Sequence, residues 1–188
     1  VKLNGNTASM DPVTVMWFKR DLRLRDNAAL KIASEQTSPV ALIYIVEPVM
    51  IDDPHMDILH CRFIYQSITD LNEQLAEFNA SISILFGNAV EVLSELHEHC
   101  NIARIVSHQE VGLEHTYARD KEVLAWCRIN QIKWIEVAQG AVYRPLNNRR
   151  NWPKLWNDRI LGTANHPELR SAKWVIGLND KIDGSYVY

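Results

Sequence analysis

Cysteine is scarce in this sequence, and its few copies are not arranged for cross-linking. The chain of 188 residues contains three cysteines, Cys61, Cys100 and Cys127. They are odd in number, far apart and free of any C-x-x-C pair, so the sequence offers neither a disulfide framework nor a zinc-ligand spacing. Reduced thiols in a cytoplasmic protein are therefore expected, and a chain of this length can bury a core without a covalent staple.

Long apolar runs are also missing, which excludes a membrane-spanning helix of the usual kind. No stretch approaches the roughly 20 consecutive apolar residues that a bilayer core requires. The polar opening has no signal-peptide core, and Met10 is interpreted as the native start. We expect residues 1–9 to be a tag remnant or a disordered start, and we expect no membrane partner.

Several motifs of enzyme chemistry are absent as well. The sequence has no G-x-G-x-x-G pattern, no P-loop and no Ser, His and Asp set with a readable order. His97 and His99 lie two positions apart on a predicted helix, so they point in different directions and no metal site is predicted there. The net charge of -3 and the pI near 6.2 argue against binding of nucleic acid over the whole surface. The chain alone is expected not to be catalytic.

What the sequence does contain is a regular alternation of apolar strands and amphipathic helices. The segment Val40–Val46 is apolar throughout, as expected for a strand that is covered on both faces. Residues 59–78 carry apolar side chains at three- and four-residue spacings, which predicts a long helix. The predicted strands are Val13–Phe18, Val40–Val46, Ile82–Phe86, Ile102–Ser107 and Lys133–Val137, and the predicted helices are Asn27–Ser34, Leu59–Phe78, Ala89–His99 and His115–Asn130.

Strands that alternate with crossover helices form a parallel sheet with helices on both faces. We therefore predict a doubly wound, Rossmann-like α/β fold with five parallel strands in the order 3-2-1-4-5, in a domain that covers residues 10–138. In such a sheet the ligand crevice lies at the carboxyl ends of the strands where the order reverses, here strands one and four.

The final segment, residues 139–188, breaks this pattern. Only one short helix is predicted in it, near Lys154–Ile160. A segment this irregular is unusual inside a compact domain, so we interpret it as a connector toward a further domain. Its basic and aromatic part, Ala141–Ile160, fits either contact with a single-stranded nucleic acid or a surface that another domain covers, and we favour the covered surface.

Three motifs in this framework resemble the N-terminal α/β domain of DNA photolyases and cryptochromes. The run WFKRDLRLRDN at residues 17–27, directly after the first strand, is similar to the opening of that family. The run ALIYIVEP at residues 41–48 resembles the family's second strand, and Tyr117-Ala118-Arg119-Asp120 resembles the start of the helix after strand four. The first motif is specific and the other two support it.

The resemblance implies a role for the chain within a longer protein. Photolyases repair pyrimidine dimers in DNA by light-driven electron transfer from reduced FAD, and cryptochromes use similar machinery for signalling. In this family the FAD and the DNA contacts belong to a helical C-terminal domain, and the N-terminal domain carries an antenna pigment in many members. We therefore expect an antenna and scaffold domain of a blue-light flavoprotein, with that FAD-binding domain as its partner.

The identity of the antenna pigment depends on one departure from the family pattern. Folate-binding members have an Asn-Glu pair ahead of the Ala-Arg-Asp motif, and this sequence has His115 and Thr116 there. The amide and the carboxylate that would hold a pterin ring are thus lost, which favours a flavin, a deazaflavin or no antenna over a folate. His115 is interpreted as a surface residue at the start of its helix.

The candidate cofactor-binding residues follow from the loops at the predicted crevice. These loops, after strands one, two and four, supply Lys19, Arg20, Asp21, Glu47, His108 and Glu110. For most of the first loop an internal ion-pair network is at least as good an interpretation, with three arginines opposite two aspartates: Arg20, Arg23 and Arg25, and Asp21 and Asp26. His108 and Glu110 either contact the ligand or cap the next helix.

Two other functions stay open at this point. A stand-alone nucleotide-binding or small-ligand-binding module of the doubly wound type would lack its usual phosphate-binding glycine loop here. A protein-interaction domain would use the aromatic tail, through Trp152 and Trp156. The photolyase-like interpretation is preferred because it alone explains both the loop at residues 17–27 and the irregular tail.

Overall fold

The computed structural model describes residues 11–112, 114–140, 142, 148–175 and 178. Within these residues strands and helices alternate along the chain. The strands are β1 (Val13–Phe18), β2 (Val40–Val46), β3 (Ile82–Phe86), β4 (Ile102–His108) and β5 (Lys133–Val137), and the helices are α1 (Ala28–Ser34), α2 (Pro48–Ile51), α3 (Ile58–Leu75), α4 (Ala89–Cys100), α5 (Glu114–Ile129) and α6 (Trp152–Ile160).

The five strands form one parallel sheet in the order β3-β2-β1-β4-β5. The central strand is β1, where Val15 lies opposite Ala41 of β2 and Ile105 of β4. The predicted fold class and strand order are therefore confirmed. Because the order reverses between β1 and β4, the carboxyl ends of these strands border a crevice.

Helices cover both faces of the sheet, and the alternation of side chains along β1 divides the core in two. Val15 and Trp17 belong to an apolar cluster with residues of α4 and α5. Met16 and Phe18 point to the opposite face and belong to a second cluster, with residues of α1 and α3. All six residues of β1 are buried, as a strand between two helical layers requires.

The structure adds one element that the sequence did not predict. The strand β2 ends before Glu47, and Pro48 then opens the four-residue helix α2. Proline suits the first turn of a helix because the N–H that it lacks would have no partner there. The next helix, α3, has Asp57 as its N-cap, and the Asp57 side chain accepts a hydrogen bond from the Leu59 amide.

The apolar stripe of α3 is buried only in its second half. Ile68 and Leu75 pack on the sheet, whereas Leu59 and Phe63 are 66% and 68% exposed. The first turns of α3 therefore extend beyond the sheet core, beside a cavity described below. In the part of the chain that the structure describes, no helix has the length and apolar character needed to cross a bilayer.

Part of the final segment packs against the sheet. The helix α6 begins at Trp152, slightly earlier than predicted. Further on, Trp174 forms a parallel bridge with Val40, whose amide donates to the Lys173 carbonyl at 2.7 Å. This contact lies at the start of β2, before β3 begins to pair with it. A connection from residues 139–188 to a further domain stays a prediction.

Candidate functional site at the carboxyl edge of the sheet

The loop after β1 is built around the buried carboxylate of Asp21. Its Oδ1 accepts a hydrogen bond from the Lys19 amide at 2.9 Å, and its Oδ2 lies 2.6 Å from Nδ1 of His108, at the end of β4. Asn27 donates to the same Oδ2 at 3.3 Å and caps α1 through the Leu30 amide. Burial alone would raise the pKa of Asp21, but the hydrogen bond and charge of His108 lower it below its ordinary value. Asp21 therefore joins the ends of β1 and β4 to the start of α1.

A second set of ion pairs surrounds Arg119 on α5. Its guanidinium donates to Glu47 Oε2, to Glu110 Oε2 at 2.9 Å and to Asp120 Oδ1 at 3.0 Å. All four residues are buried. Burial alone would lower the pKa of Arg119, but the nearby carboxylates, Glu47 foremost, raise it. Arg119 thereby ties the ends of β2 and β4 to α5.

Lys19 is enclosed by two indole rings and a carboxylate. Its Nζ lies 2.9 Å and 3.1 Å from the two carboxylate oxygens of Asp120. The same nitrogen is 4.5 Å from the ring centre of Trp17 and 5.1 Å from that of Trp134, within the range of cation–π attraction. Burial lowers the pKa of Lys19, and the charge of Asp120 offsets this only in part. These contacts engage the Lys19 ammonium within the protein.

Arg20 is the exposed member of the six predicted residues. Its side chain is 45% exposed, and its Nε donates to Glu110 Oε1 at 2.9 Å. Gly112 allows the guanidinium to lie close, since a Cβ at that position would come within 2.9 Å of Arg20 Nη2. Burial alone would raise the pKa of Glu110, but the charges of Arg119 and Arg20 outweigh this effect and lower the pKa below its ordinary value. Glu110 therefore stays an anion.

These contacts correct the predicted pairing inside the first loop. Asp21 pairs with His108 rather than with an arginine, and the Asp26 carboxylate accepts from the Asn165 amide at 2.9 Å. Arg23 donates to the main-chain oxygen of Asp26, at 3.0 Å, and not to its carboxylate. The predicted network of three arginines and two aspartates is therefore wrong in its partners. The prediction failed because the actual partners lie on β4 and in the tail, and only the tertiary fold brings their polar groups to this loop.

A cavity of about 620 Å³ opens beside this cluster, at the carboxyl ends of β1 and β2. Its volume falls within the range of roughly 300–1,000 Å³ that is typical of small-molecule sites. Of the six predicted residues, Lys19, Arg20 and Glu110 line it, whereas Asp21, Glu47 and His108 do not. The other lining residues include the aromatic and apolar side chains of Phe18, Tyr44, Met50, Met56, Phe63 and Ile64.

His115 also lines the cavity, although the sequence suggested a surface position. Its side chain is 27% exposed, and its Nδ1 lies 3.4 Å from Asp53 Oδ2. The other oxygen of Asp53 accepts from the His55 amide at 2.7 Å and lies 2.9 Å from the His55 ring. Nε2 of His115 is buried and has no hydrogen-bond partner among the described residues. His115 does lie at the start of its helix, as predicted, but its side chain is partly buried because the segment between α2 and α3 lies against the start of α5.

The histidines at the end of α4 make separate contacts. Nδ1 of His97 accepts from the Ile102 amide at 3.1 Å, and Nδ1 of His99 lies 2.9 Å from the Glu95 carbonyl oxygen. Across the described ranges, no group of histidine, cysteine and carboxylate side chains is arranged to hold a metal ion.

The basic and aromatic tail is described only in part. Trp152 and Trp156 are 41% and 38% exposed, and their ring centres lie 6.4 Å apart. Arg159 donates to the carbonyl oxygens of Ala138 and Gly140. This arginine therefore holds α6 against the segment that follows β5. Residues 143–147, which include an arginine of the predicted basic segment, lie outside the described residues.

Sequence reasoning missed Arg119 and Asp120 as site residues, although both belong to a motif that it used. A signal was present in the spacing of α5. The buried residues of this helix are Thr116, Arg119, Asp120, Val123 and Cys127. An arginine and an aspartate on the same helical stripe as a valine and a cysteine indicate a buried ion pair.

Comparison with known proteins gives a consistent result. The family model described as DNA photolyase matches residues 14–151. Cryptochrome-1 of Sylvia borin is 31% identical over 91 residues, which cover 48% of this chain and 15% of that protein. Cryptochrome-1 of Aedes aegypti is 28% identical over 138 residues, 70% of this chain and 25% of that protein. The chain therefore spans no more than a quarter of these relatives.

Solved structures share the fold. The archaeal photolyase from Sulfolobus tokodaii, solved with two FAD molecules, superimposes with a TM-score of 0.69 at 22% identity, over 87% of this chain and 38% of that one. A bacterial class III photolyase from Agrobacterium tumefaciens gives a TM-score of 0.71 at 18% identity, over 94% of this chain and 38% of that one. At these identities the likeness concerns the fold alone.

Proposed function

This chain belongs to the DNA photolyase family, as its N-terminal α/β domain, and we propose that it binds an antenna pigment in the cavity at the carboxyl edge of its sheet. The family match covers residues 14–151, which include the carboxyl ends of all five strands. The resemblance drawn from residues 17–27, 41–48 and 117–120 is thereby confirmed. The pigment itself is our proposal.

The cavity is the single observation that carries this proposal. Small-molecule sites combine an apolar lining with a few placed polar groups. Here the apolar lining includes Phe18, Tyr44 and Phe63, and the polar lining includes His115 and Arg20, whose side chain is 45% exposed. Burial raises the pKa of Tyr44 to about 12, so its hydroxyl remains neutral. The lining therefore fits a planar aromatic ligand that also carries hydrogen-bonding groups.

A flavin or a deazaflavin fits this site better than a folate. His115 and Thr116 replace the amide and carboxylate expected for a pterin. The photolyase from Sulfolobus tokodaii contains two FAD molecules, with the implication of a novel light-harvesting cofactor. A flavin in a relative of this fold supports a flavin-type antenna here. When bound, such a pigment would absorb light and pass the excitation energy to FAD in a second domain.

The six predicted residues divide into two proposed roles. Lys19, Arg20 and Glu110 line the cavity, and of these three Arg20 alone presents a largely exposed charged group to a ligand. Asp21 and His108 lie outside the lining and hold the ends of β1 and β4 together. Glu47 does the same for β2 through Arg119. These three buried residues would shape the site without touching the pigment.

The partners of the longer protein follow from the family and remain part of this proposal. A helical domain with FAD would carry out the photochemistry, either DNA repair or signalling, and would contact DNA in a repair enzyme. The exposed Trp152 and Trp156 of α6 offer a surface against which that domain could pack. A cytoplasmic location stays a prediction.

The first experiment is a pigment assay on the 188-residue chain. We expect a flavin or deazaflavin absorption band after purification, or uptake of added riboflavin, with the released pigment identified by mass spectrometry. Met56→Trp should block uptake by filling the cavity, whereas Leu161→Trp, at a position that is 80% exposed on the tail, should not. A colourless chain that takes up neither pigment would overturn antenna binding and leave only a scaffold role.

A further inference from the structure

Arg23, in the loop after β1, lines the cavity and has no ion-pair partner among the described residues. It is an exposed residue. Asp26 was predicted to pair with an arginine of this loop, but its carboxylate accepts from the Asn165 amide instead, at 2.9 Å. Nε of Arg23 donates to the main-chain oxygen of Asp26, at 3.0 Å. Arg23 therefore brings to the cavity a positive charge that no carboxylate of the described chain contacts.

The main chain of Arg23 is held in place on both sides. Its amide donates to the Asp21 carbonyl oxygen at 2.7 Å, and its carbonyl oxygen accepts from Nδ2 of Asn27 at 3.0 Å. Both partners are buried, and Asn27 also caps α1. Ordering a long side chain on binding costs free energy, and a side chain that is already held loses less. The contacts of its main chain and of Nε thus preorganise Arg23.

The terminal nitrogens of the Arg23 guanidinium are available to a ligand. The hydrogen bond to Asp26 uses Nε, and within the described ranges neither terminal nitrogen has a hydrogen-bond partner. A guanidinium is a planar fork of N–H donors whose geometry matches a phosphate or a carboxylate, with two parallel hydrogen bonds. The ligand group that complements Arg23 is therefore an anion with at least two oxygen atoms.

The other charged groups that line the cavity already have partners. The ion pairs join Lys19 to Asp120, Arg20 to Glu110, and Arg119 to Glu47, Glu110 and Asp120, while Asp53 contacts His55 and His115. An anion at any of these cations would compete with a carboxylate that is already in place. At Arg23 an anion would meet no such competitor, so this residue is the best-suited anion contact of the lining.

We propose that Arg23 binds a phosphate group of the pigment, so that the cavity selects FMN over riboflavin. This inference rests on the proposed antenna function. The two flavins share the ring and the ribityl chain, and FMN differs only by its terminal phosphate. Arg20 serves the part of the ligand that both flavins share, and Nε of Arg20 stays on Glu110. Arg23 alone then distinguishes the two flavins.

The test measures the affinities of the 188-residue chain for FMN and riboflavin by fluorescence titration. We expect FMN to bind about fivefold more tightly, the effect of an exposed ion pair. The preference should fall below about twofold in 1 M salt, where the Debye length is about 3 Å. Arg23→Met should lower the FMN affinity to that of riboflavin and leave the riboflavin affinity unchanged. Arg23→Lys, which keeps the charge but not the planar fork, should retain part of the preference.

Two further arginines of the same loop supply matched variants. Arg25→Met removes an exposed arginine that is not part of the lining, and it should leave both affinities unchanged. Arg20→Met should weaken both flavins by the same factor, so the preference for FMN should persist. ³¹P NMR of bound FMN gives a second readout, because a phosphate shift caused by Arg23 should be lost in Arg23→Met and kept in Arg25→Met.

Two other ligands check the chemistry of the group that Arg23 binds. Folic acid carries carboxylates and no phosphate, and AMP carries a phosphate without a flavin ring. We expect neither to displace FMN at equal concentration. Displacement by folic acid that depends on Arg23 would replace the phosphate by a carboxylate and overturn this inference. Displacement by AMP would make the cavity a nucleotide site and overturn the antenna proposal as well.

The remaining outcomes separate this inference from the proposed function. Equal affinity of the unmodified chain for the two flavins would overturn the phosphate contact and leave antenna binding intact. A preference that persists in Arg23→Met would do the same, and so would an equal loss of preference in Arg25→Met, because the charge of the whole loop would then be responsible. Failure to bind either flavin would overturn both proposals.

Discussion

Two neighbouring regions at the carboxyl edge of the sheet contain the same kinds of side chain at different degrees of burial. The buried ion-pair cluster consists of Lys19, Asp21, Glu47, His108, Glu110, Arg119 and Asp120, and its charged groups have partners inside the protein. The cavity beside it is lined by side chains that stay partly open to solvent, among them Arg20 at 45% and His115 at 27% exposure. Charge alone therefore does not separate a ligand contact from a structural one.

The two regions differ in which groups the deletion of one side chain would leave without a partner. A buried ion pair adds little net stability over a well-packed apolar pair, yet deletion of one partner strands the other charge. In the cluster a deletion therefore acts on folding. At the cavity, the partner of Arg20 is Glu110, which keeps its contact with Arg119, so deletion of Arg20 strands no buried charge and, on the proposed function, acts on binding. Four predictions use this contrast, from the largest expected effect to the smallest.

Replacement of Arg119 should have the largest effect on folding. Arg119→Met leaves Glu47, Glu110 and Asp120 without their shared cation, and breaking a buried pair of this kind costs about 4 kcal/mol. The free energy of unfolding in urea measures it. Arg62→Met, at an exposed site on α3, is the control and should change stability by about 0.5 kcal/mol at most. Equal stability of the two variants would contradict a structural role for the cluster.

Replacement of Asp21 should come next. Asp21→Asn keeps the shape of the side chain but removes the charge that faces His108, and the loss of such a hydrogen bond costs about 2 kcal/mol. The same urea titration measures the change. Asp70→Asn, at an exposed carboxylate on α3 that accepts a hydrogen bond from Gln74, should be close to neutral. A neutral Asp21→Asn would mean that the buried cluster does not hold the first loop.

Replacement of Arg20 should affect ligand binding more than folding. Arg20→Met leaves Glu110 paired with Arg119, so stability should fall by only about 0.5 kcal/mol, as for an exposed ion pair. Riboflavin affinity should fall about tenfold, or about 1.4 kcal/mol, because the cavity loses one of its exposed guanidinium groups. Fluorescence titration and urea unfolding of the same sample compare the two. A large loss of stability with unchanged affinity would place Arg20 in the cluster instead.

The smallest effect concerns acid stability. The folded-state pKa values of Asp21 and Glu110 are lowered, so both carboxylates stabilise the fold above their unfolded pKa of about 4. That contribution is lost as the pH falls through the folded values, since the unfolded chain then binds protons more readily. We expect the urea midpoint to fall between pH 7 and pH 3, and to fall less in Asp21→Asn. The urea midpoint of Asp70→Asn should fall as far as that of the unmodified chain. The same dependence of the midpoint on pH in all three proteins would refute this role of Asp21.

The main features of the fold could be read from local patterns. Val40–Val46 is apolar at every position, and a strand of that kind has few places in an α/β protein other than the interior of a parallel sheet. The alternation of strands with crossover helices then favoured a doubly wound sheet in the order 3-2-1-4-5, which the structure confirms. The helix α2 escaped prediction because a proline can either end a strand or open a helix, and local sequence does not distinguish the two.

The sequence predicted a crevice at the carboxyl ends of strands one and four, and the structure has a cavity at the carboxyl ends of β1 and β2. The crevice follows from strand order, and three of the six predicted residues do line the cavity. The partner of Asp21 was predicted wrongly because its neighbour in space, His108, is 87 positions away in the chain. Arg119 was missed as the hub of the cluster for the same reason, since its partner Glu47 lies 72 positions earlier.

The sequence by itself determined the order of strands and helices and the parallel sheet that they form. These properties depend on hydrophobic periodicity, which acts within each element and between adjacent ones. Only the tertiary structure decided which polar side chains became buried partners and which, such as His115, face the cavity. Charged groups pair only when they lie within a few ångströms of one another, and the groups that pair here come from distant segments of the chain. Their distances are set by how the helices pack on the sheet.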